Sequence, residues 1–370
     1  MKIYSFDPKT EYTLNKKEIQ KAVLNVLESG KYILSKEVRK LENTIKKLLN
    51  VKNAVSVKNG TDALIISLKI LGIKKGDEII TTSHTALATT AAIINVGAKP
   101  VIIDIDKEFY TLDSKKIENK INKKTKAILP VHIYGQCCDM KDIMRIAKKY
   151  NLYVIEDCSQ ALGSKIKNKY VGTFGDIGTI SFYPTKNFGA LGDGGMIITN
   201  NSKIFKKIER YREYGWDRKR NTINVGINSR LDEIQAAILN LKLKYFKMYL
   251  KEKNRIAKKY ISEIKNLSII LPKIRKNSFH SFHIFAILTK SRKHFLRYLK
   301  KHNIFLSIHY NKLTFENKGY TKNCEFSKLE LKNSLNVSKS TLSLPIYNGI
   351  SEIKLNKIIK VINNYKQNDR

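Results

Sequence analysis

The 370-residue sequence contains few cysteines, few prolines and no long apolar run. Its four cysteines, Cys137, Cys138, Cys158 and Cys324, have neither the density of a disulfide framework nor the spacing of a zinc site. We therefore expect reduced thiols and no metal site. Because no stretch of about 18 apolar residues occurs, we expect no membrane-spanning helix. The first residues lack the apolar core of a signal peptide, and these absences together predict a soluble cytoplasmic protein without a membrane partner.

Acidic residues are also scarce: 32 of them face 70 lysines and arginines, and the formal net charge is +38. Such a charge raises the question of nucleic acid binding. Lysine far outnumbers arginine, however, and the basic residues are spread over nearly every segment. Nucleic acid recognition uses arginine more heavily and interleaves it with aromatic residues. We therefore expect no nucleic acid partner, although a positive field could attract an anionic small molecule.

Short apolar runs rich in β-branched residues alternate with helical segments from about residue 51 to residue 199. Runs of four to six residues separated by helices are typical of a buried, mainly parallel sheet. The pattern predicts strands over 54–57, 78–82, 100–105, 127–132, 153–157, 179–183 and 195–199, and helices over 61–71, 86–96 and 141–150. The predicted class is α/β, and ligands of such sheets bind at the carboxyl ends of the strands.

The pattern changes after Arg230. Residues 231–264 are helix-periodic without internal glycine or proline, and strands over 282–288 and 304–310 and a final helix are predicted to follow. The change predicts two domains. These are a large domain over residues 1–248, which includes the N-terminal helical segment, and a smaller C-terminal α+β domain over residues 249–370.

The segment SFYPTKNFGALGDGG places Lys186 just beyond a predicted buried strand and beside a glycine-rich loop. A lysine in this position could form a Schiff base with pyridoxal phosphate if an enclosed site lowers the pKa of its amine. The loop matches neither the Walker nor the dinucleotide-binding glycine pattern. Taken alone, Lys186 could equally be one more surface charge.

A second predicted strand, in the segment VIEDCSQALGS, ends at Asp157, where an unpaired carboxylate is costly. Asp157 could pair with the pyridine nitrogen of pyridoxal phosphate and so maintain the electron sink that transamination requires. Gln160, three residues later, could reach the phenolic oxygen of the ring. The alternative for Asp157 is a cap on a following helix. For Cys158, packing is favoured over chemistry.

The turn NGTDAL, residues 59–64, joins a predicted strand to a helix. Free N–H groups at Gly60 and Thr61 and the positive helix end could seat a phosphate, to which Ser181 could add a hydroxyl. The alternative is an ordinary N-cap by Asn59 or Thr61. A phosphate seat, an acid for the pyridine nitrogen and a Schiff-base lysine thus occur in this order, each at a strand exit. That is the layout of a fold-type I pyridoxal-phosphate enzyme.

On these motifs the sequence resembles the sugar-nucleotide aminotransferase family called the DegT–StrS group, from SGKYILSKEV to LSLPIYNGIS. The resemblance implies an aspartate-aminotransferase-like fold type I, with Lys186 carrying the internal aldimine and moving protons. It also implies that Asp157 pairs with the ring nitrogen and that Gly60, Thr61 and Ser181 hold the phosphate. Relatives that act as sugar dehydratases replace the lysine by histidine, so Lys186 favours an aminotransferase.

The same resemblance implies a homodimer with shared active sites. In this family the asparagine of the segment GINSRLDEIQAAIL, here Asn228, reaches the phosphate bound by the neighbouring subunit. One feature departs from the family pattern, because Ala86 stands where an aromatic ring usually covers the cofactor. His84 could supply a ring face instead, or it could be a polar residue near the sheet end.

The segments SHTA, SFYPTKN, and YGW followed by NSRLDE resemble the branch that acts on dTDP-linked 3-keto-6-deoxyhexoses. The resemblance implies that L-glutamate supplies an amino group to C3 by way of pyridoxamine phosphate, for surface glycans. Tyr183, His309 and Tyr310 are candidate substrate residues, although each could instead pack in the core, and His84 is a further candidate on the substrate side.

Three alternatives stay open at this point. The first is the same chemistry at C4 of a 4-keto sugar nucleotide. The second is a basic DNA-binding regulatory protein, which would need a helix-turn-helix with base-reading arginines, and we find none in the sequence. The third is a scaffold that binds the cofactor without catalysis, against which Lys186 and Asp157 together argue.

Overall fold

The computed structural model describes residues 2–217 and 219–366 of the chain. A short strand and three helices come first: β1 (Ile3–Tyr4), α1 (Pro8–Leu14), α2 (Lys16–Ser29) and α3 (Lys36–Leu49). In α3, Val38, Leu41, Ile45 and Leu49 are buried at helical spacing, and they form one apolar stripe that packs on the body of the protein.

The central part alternates strands with helices, as the sequence predicts. Its elements are β2 (Asn53–Val57), α4 (Gly60–Ile70), β3 (Glu78–Thr82), α5 (Leu87–Asn95), β4 (Lys99–Ile103), β5 (Thr125–Ile128), α6 (Met140–Tyr150), β6 (Tyr153–Asp157), β7 (Lys165–Ile166), β8 (Lys169–Tyr170), β9 (Ile177–Ser181), β10 (Gly195–Thr199) and α7 (Ser202–Tyr211). The predicted strand over 127–132 is too long by several residues. β5 ends before Pro130, whose nitrogen cannot donate to a sheet ladder.

The central sheet has seven strands in the order β2-β10-β9-β6-β5-β3-β4. The pairs β3–β4, β3–β5, β5–β6 and β6–β9 are parallel, whereas β10 runs antiparallel to both β2 and β9. The predicted mainly parallel sheet is confirmed. The carboxyl ends of β2, β6 and β9 therefore meet at one edge of the sheet, beside the amino end of β10.

The C-terminal part begins with the long helix α8 (Glu233–Glu263) and continues through short strands and helices. These are β11 (Ser278–Phe279), β12 (Phe285–Leu288), α9 (Arg292–Lys301), β13 (Ile304–Phe305), α10 (Lys318–Thr321), α11 (Lys332–Ser340), β14 (Thr341–Leu344) and α12 (Glu352–Asn363). Single 3₁₀ turns occur at Ser114–Lys116, Glu118–Lys120, Ile133–Gly135, Thr314–Glu316 and Lys328–Glu330.

The predicted strand over 304–310 is wrong beyond Phe305. Only Ile304 and Phe305 pair in a ladder, and their partner is β1. Ser307 makes a single bridge to Ser343, after which the chain turns inward so that His309 and Tyr310 reach the cavity described below.

Two apolar cores meet along α8. Its first half packs on the central sheet through residues such as Leu239 and Phe246, and its second half packs through Ile256 and Tyr260 on a core that includes β12, β14 and α12. This division supports a domain boundary within α8, which we propose lies near residue 248. β1 lies with the C-terminal core, although the sequence assigned residues 1–248 to the large domain. Among the described residues, no helix is both long and apolar enough to cross a membrane.

Candidate active site

A cavity of about 490 Å³ opens at the carboxyl ends of β2, β6 and β9. Its volume lies in the range of cofactor and small-ligand sites. Most residues that the sequence singled out line it: Gly60, Thr61, Asp157, Gln160, Ser181, Tyr183, Lys186, His309 and Tyr310. The fold thus brings residues that are far apart in the sequence into one site. Their individual contacts with cofactor or substrate stay predictions.

One side of the site is the start of α4. Asn59 caps this helix, because its side chain accepts a hydrogen bond of 2.8 Å from the N–H of Asp62. The first N–H groups of a helix have no partner within the helix, and here the first residues of α4, Gly60 and Thr61, line the cavity. A Cβ atom at Gly60 would lie 2.7 Å from Cβ of Ser181, so only glycine lets Ser181 approach this closely. The helix end and the serine hydroxyl together form a seat for an anion.

The carboxylate of Asp157 is held at the end of β6. Its Oδ2 accepts a hydrogen bond of 2.9 Å from the Thr89 hydroxyl, and its Oδ1 accepts one of 3.0 Å from the N–H of Ser159. The residues that follow β6 form turns rather than a helix, so the alternative role of Asp157 as a helix cap is wrong. A nearly buried, fixed carboxylate in a cavity fits a cationic partner such as a protonated ring nitrogen.

Lys186 stands on the loop between β9 and β10, half-buried and facing the same cavity. Burial lowers the pKa of its amine from 10.5 to about 8, and the negative charge of Asp157 partly opposes this shift. A lysine with such a pKa is neutral in a useful fraction of molecules near neutral pH, as a nucleophile and a proton acceptor must be.

Helix α8 holds the lysine loop from behind. The ammonium of Lys253, a fully buried side chain, donates a hydrogen bond of 2.9 Å to Oδ1 of Asn187. The ammonium of Lys242 donates one of 2.6 Å to the carbonyl oxygen of Gly189. Sequence reasoning missed both lysines. The available signal was their position on an inward-facing stripe of α8, where a charged residue needs a partner.

Two of the predicted residues lie outside the cavity lining. His84 is fully buried behind the wall, with Nε2 2.6 Å from the hydroxyl oxygen of Tyr134. Ala86 does line the cavity, so this arrangement does not put the His84 ring in the place of the missing aromatic. Asn228 is exposed and pairs with Glu213 across a bridge, away from the cavity of its own chain.

His283 is a cavity residue that the sequence did not reveal. It is 3% exposed, and its Nδ1 is buried without a hydrogen-bond partner among the described residues. Burial, and then the charges of Lys186, Lys253 and His309, hold its pKa well below the usual value. It occurs in the middle of an apolar run just before β12, where no pattern distinguishes a site residue from a packed one.

His132, Glu156 and Cys158 cluster closely enough beneath the site to hold a metal ion. The carboxylate is already engaged, however. One oxygen accepts from the N–H groups of Phe174 and Gly175, and the other accepts from Gly172 and lies 3.1 Å from Nε2 of His132. The cluster therefore acts as a hydrogen-bonded support for the strand that carries Asp157.

These features fit pyridoxal phosphate as a bound group. The seat at α4 and Ser181 suits its phosphate, the Asp157 carboxylate suits its ring nitrogen, and the Lys186 amine suits its aldehyde. The Nδ1 atom of His283, which has no hydrogen-bond partner among the described residues, is a further polar atom with which the cavity could bind a ligand.

Comparison with known proteins gives an independent result. The model of the DegT/DnrJ/EryC1/StrS aminotransferase family matches residues 13–363. A similar curated protein is the dTDP-3-amino-3,6-dideoxy-alpha-D-galactopyranose transaminase of Aneurinibacillus thermoaerophilus. It is 42% identical over 349 residues, which cover 94% of this chain and 95% of that protein.

Solved structures agree with this result. The structure of DesV from S. venezuelae in complex with ketimine intermediate superposes with a TM-score of 0.95 and 31% identity, covering 98% of each chain. NtdA from Bacillus subtilis with bound cofactor PMP has a TM-score of 0.88 and 29% identity, covering 94% of this chain and 81% of NtdA. The likeness extends across both apolar cores.

Proposed function

The chain belongs to the DegT/DnrJ/EryC1/StrS aminotransferase family, and from this premise we propose that it moves the amino group of L-glutamate to C3 of a dTDP-linked 3-keto-6-deoxyhexose. Membership confirms the predicted family, fold class, transaminase activity and pyridoxal phosphate cofactor. The 42% identity with a dTDP-3-amino-sugar transaminase supports C3 and dTDP. The observation that carries the proposal is a lysine of lowered pKa and a fixed carboxylate in one cavity.

Each residue of the site has a task in this reaction. Pyridoxal phosphate, when bound, supplies the carbonyl group that takes up the amine and an electron sink for the substrate carbon. The first N–H groups of α4 and the hydroxyl of Ser181 would hold its phosphate, and Asp157 its ring nitrogen. Lys186 then takes the proton from Cα of glutamate, and in the second half-reaction it delivers a proton to C3 of the sugar.

The visible absorption spectrum tests the first half-reaction. The purified protein with pyridoxal phosphate should show a visible band that bleaches when glutamate is added. Lys186→Ala should lose the normal band and the bleaching, because it lacks the amine that binds the cofactor covalently. Lys247→Ala, which alters an exposed lysine on α8, is the matched control and should behave as the unchanged protein. A protein that shows no band after incubation with the cofactor would refute the proposal.

The second half-reaction decides the position of the new amine. The bleached enzyme is offered a dTDP-3-keto-6-deoxyhexose and, separately, the 4-keto isomer, and the product is located by NMR. Return of the band with the 3-keto sugar, and an amine on C3, are expected. An amine on C4 would keep the enzyme class and overturn the choice of substrate.

We propose further that the enzyme is a homodimer in which Asn228 of the partner subunit completes the phosphate seat. Two facts support this: Asn228 is exposed, and the residues just before it include the exposed apolar side chains of Ile223 and Val225. Lys186→Ala and Asn228→Ala chains, each inactive alone, should complement each other when refolded together. Random pairing would restore about a quarter of the activity, because half of the dimers then contain one intact site. An absence of complementation would contradict shared sites.

We also propose that the protein works in the cytoplasm. All four cysteines are buried and free. Three of them, Cys137, Cys138 and Cys158, lie close enough to influence one another's pKa or that of His132, yet they form no disulfide. Free thiols are usual in a reducing compartment. Reporter fusions followed by fractionation of cells would test this location, and recovery outside the cytoplasm would refute it.

A further inference from the structure

Tyr134 lies behind the cavity wall and joins several site residues by hydrogen bonds. Its backbone N–H donates to Oε1 of Gln160 over 2.8 Å, and its hydroxyl donates to the carbonyl oxygen of His309. Nε2 of His84 lies 2.6 Å from the same hydroxyl oxygen. Gln160 in turn donates from Nε2 to the hydroxyl of Tyr310 over 3.0 Å. Tyr134 is thus the point at which separate parts of the chain are tied together.

The number of protons available for donation fixes the direction of each hydrogen bond between His84, Tyr134 and His309. A phenol has a single proton, and Tyr134 gives it to the carbonyl of His309, so Nε2 of His84 must be the donor to the phenol oxygen. The other nitrogen, Nδ1 of His84, then carries no proton, and it is buried without a partner among the described residues. Burial lowers the pKa of His84 to about 3, which keeps the ring in this neutral form.

The backbone of Tyr134 is shaped for the same purpose. Its φ is +62°, in the left-handed region that residues other than glycine seldom adopt. The turn at Ile133–Gly135 directs the N–H of Tyr134 at Gln160, while its ring packs edge-on against the ring of His84. One residue therefore fixes Tyr310 through the amide of Gln160 and fixes His309 through its own hydroxyl.

We propose that His84 and Tyr134 are positioning residues for the sugar nucleotide, which act by fixing His309 and Tyr310 rather than by contacting substrate or cofactor. This inference rests on the proposed function, in which His309 and Tyr310 face the sugar. The contacts of Asp157 and of the α4 cap do not include the Tyr134 hydroxyl. The hydroxyl should therefore matter when the keto sugar reacts and should not matter when glutamate reacts.

The test compares the two half-reactions of Tyr134→Phe in the cofactor-loaded enzyme. This substitution removes the hydroxyl and keeps the ring and the N–H bond to Gln160. We expect bleaching by glutamate to keep its rate within about twofold, whereas the KM for the dTDP-3-keto sugar rises about tenfold, as expected for a lost buried hydrogen bond. Tyr110→Phe is the matched control. The centroid of its ring lies 6.5 Å from that of Tyr134, in an edge-on arrangement. Its hydroxyl is not part of the hydrogen-bond network of Tyr134, so neither half-reaction should change.

Three results would overturn the inference: an equal loss in both half-reactions, no change in either, or the same split in Tyr110→Phe. Thermal melting of each variant checks folding. If Tyr134→Phe does not fold, His84→Gln decides, and it must show the same split between the half-reactions. Failure of the unchanged enzyme to bleach with glutamate is a different result, since it removes the proposed function itself.

Discussion

The two walls of the active-site cavity are built in different ways. The wall around Asp157 and Ser181 consists of strand ends, where each polar residue directly follows an apolar run of the central sheet. The facing wall, which contains His309 and Tyr310, comes from the C-terminal part and is joined to the first through Tyr134 and Gln160. Chemistry on the first wall is set by local sequence, whereas chemistry on the second depends on contacts between residues far apart in the chain.

The largest expected effect comes from a substitution of Asp157, in the wall that consists of strand ends. Asp157→Asn keeps the shape of the side chain and removes its charge, so the proposed pairing with the ring nitrogen of the cofactor loses its anionic partner. We expect activity to fall about 10²- to 10³-fold, as when a preorganised electrostatic contact is lost in other enzymes. Steady-state kinetics measures the fall, and the absorption spectrum shows whether the cofactor is still bound.

Asp104 provides the matched control on the same sheet. It also follows a buried strand, β4, and is 1% exposed. Its carboxylate, however, already accepts hydrogen bonds from the N–H groups of Asn333 and Ser334. Asp104→Asn should lower stability and leave the reaction of loaded enzyme nearly unchanged. Similar losses of activity in both variants would mean that Asp157 acts as a structural acceptor only.

The pH dependence at Lys186 gives the next largest effect. With a pKa of about 8, the free amine becomes protonated as the pH falls, so steps that need it should slow up to about tenfold for each pH unit below that value. Rates of reconstitution with the cofactor, measured from pH 6 to pH 9, test this. A rate that is independent of pH over this range would contradict a titrating amine.

Stability should respond to the same group. Because the folded pKa lies below the unfolded value of 10.5, the unfolded chain binds more protons between about pH 8 and pH 10.5, and Lys186 makes stability rise with pH across that window. Below it, burial of the charged amine costs stability. Lys186→Met should therefore raise the unfolding free energy of the cofactor-free protein at pH 7 by roughly 1–3 kcal/mol, with a gain that shrinks towards pH 10. Urea unfolding of both proteins, with Lys247→Met as exposed control, measures this; a gain that does not change with pH would count against it.

The contrast between the walls also explains how much could be predicted from the sequence. Lys186, Asp157 and Gly60 could be found because each follows an apolar run of recognisable period. His283 could not, because it interrupts a run without ending it. The sequence motif singles out His84, but only the fold shows that its ring points at Tyr134 rather than into the cavity. The pairing of β1 with β13 joins the two ends of the chain, and no local pattern indicates it.

The smallest expected effect comes from Lys253, which holds Asn187 in place. Asn187 lies on the loop of Lys186, between β9 and β10, and joins this loop to both parts of the protein. Its Nδ2 donates to the carbonyl oxygen of Ser281 over 2.8 Å, and its Oδ1 accepts from Lys253. Burial lowers the pKa of Lys253 to about 8, attraction by Glu11 opposes this, and repulsion by Lys242 adds to it. Lys253→Met removes the anchor and keeps most of the volume. The free energy of unfolding should change little, because the lost hydrogen bond is offset by the removal of a costly buried charge.

Because Lys253 acts on the loop of Lys186, both half-reactions of Lys253→Met should slow together, by about 3- to 10-fold for one lost hydrogen bond. Lys251→Met, exposed on the same helix, is the matched control. This pattern is the opposite of the split expected for Tyr134→Phe, and stopped-flow spectra of the two half-reactions distinguish them. Slowing of the keto-sugar step alone would place Lys253 with the second wall, and the lysine loop would then depend on its glycines and on Lys242 for its position.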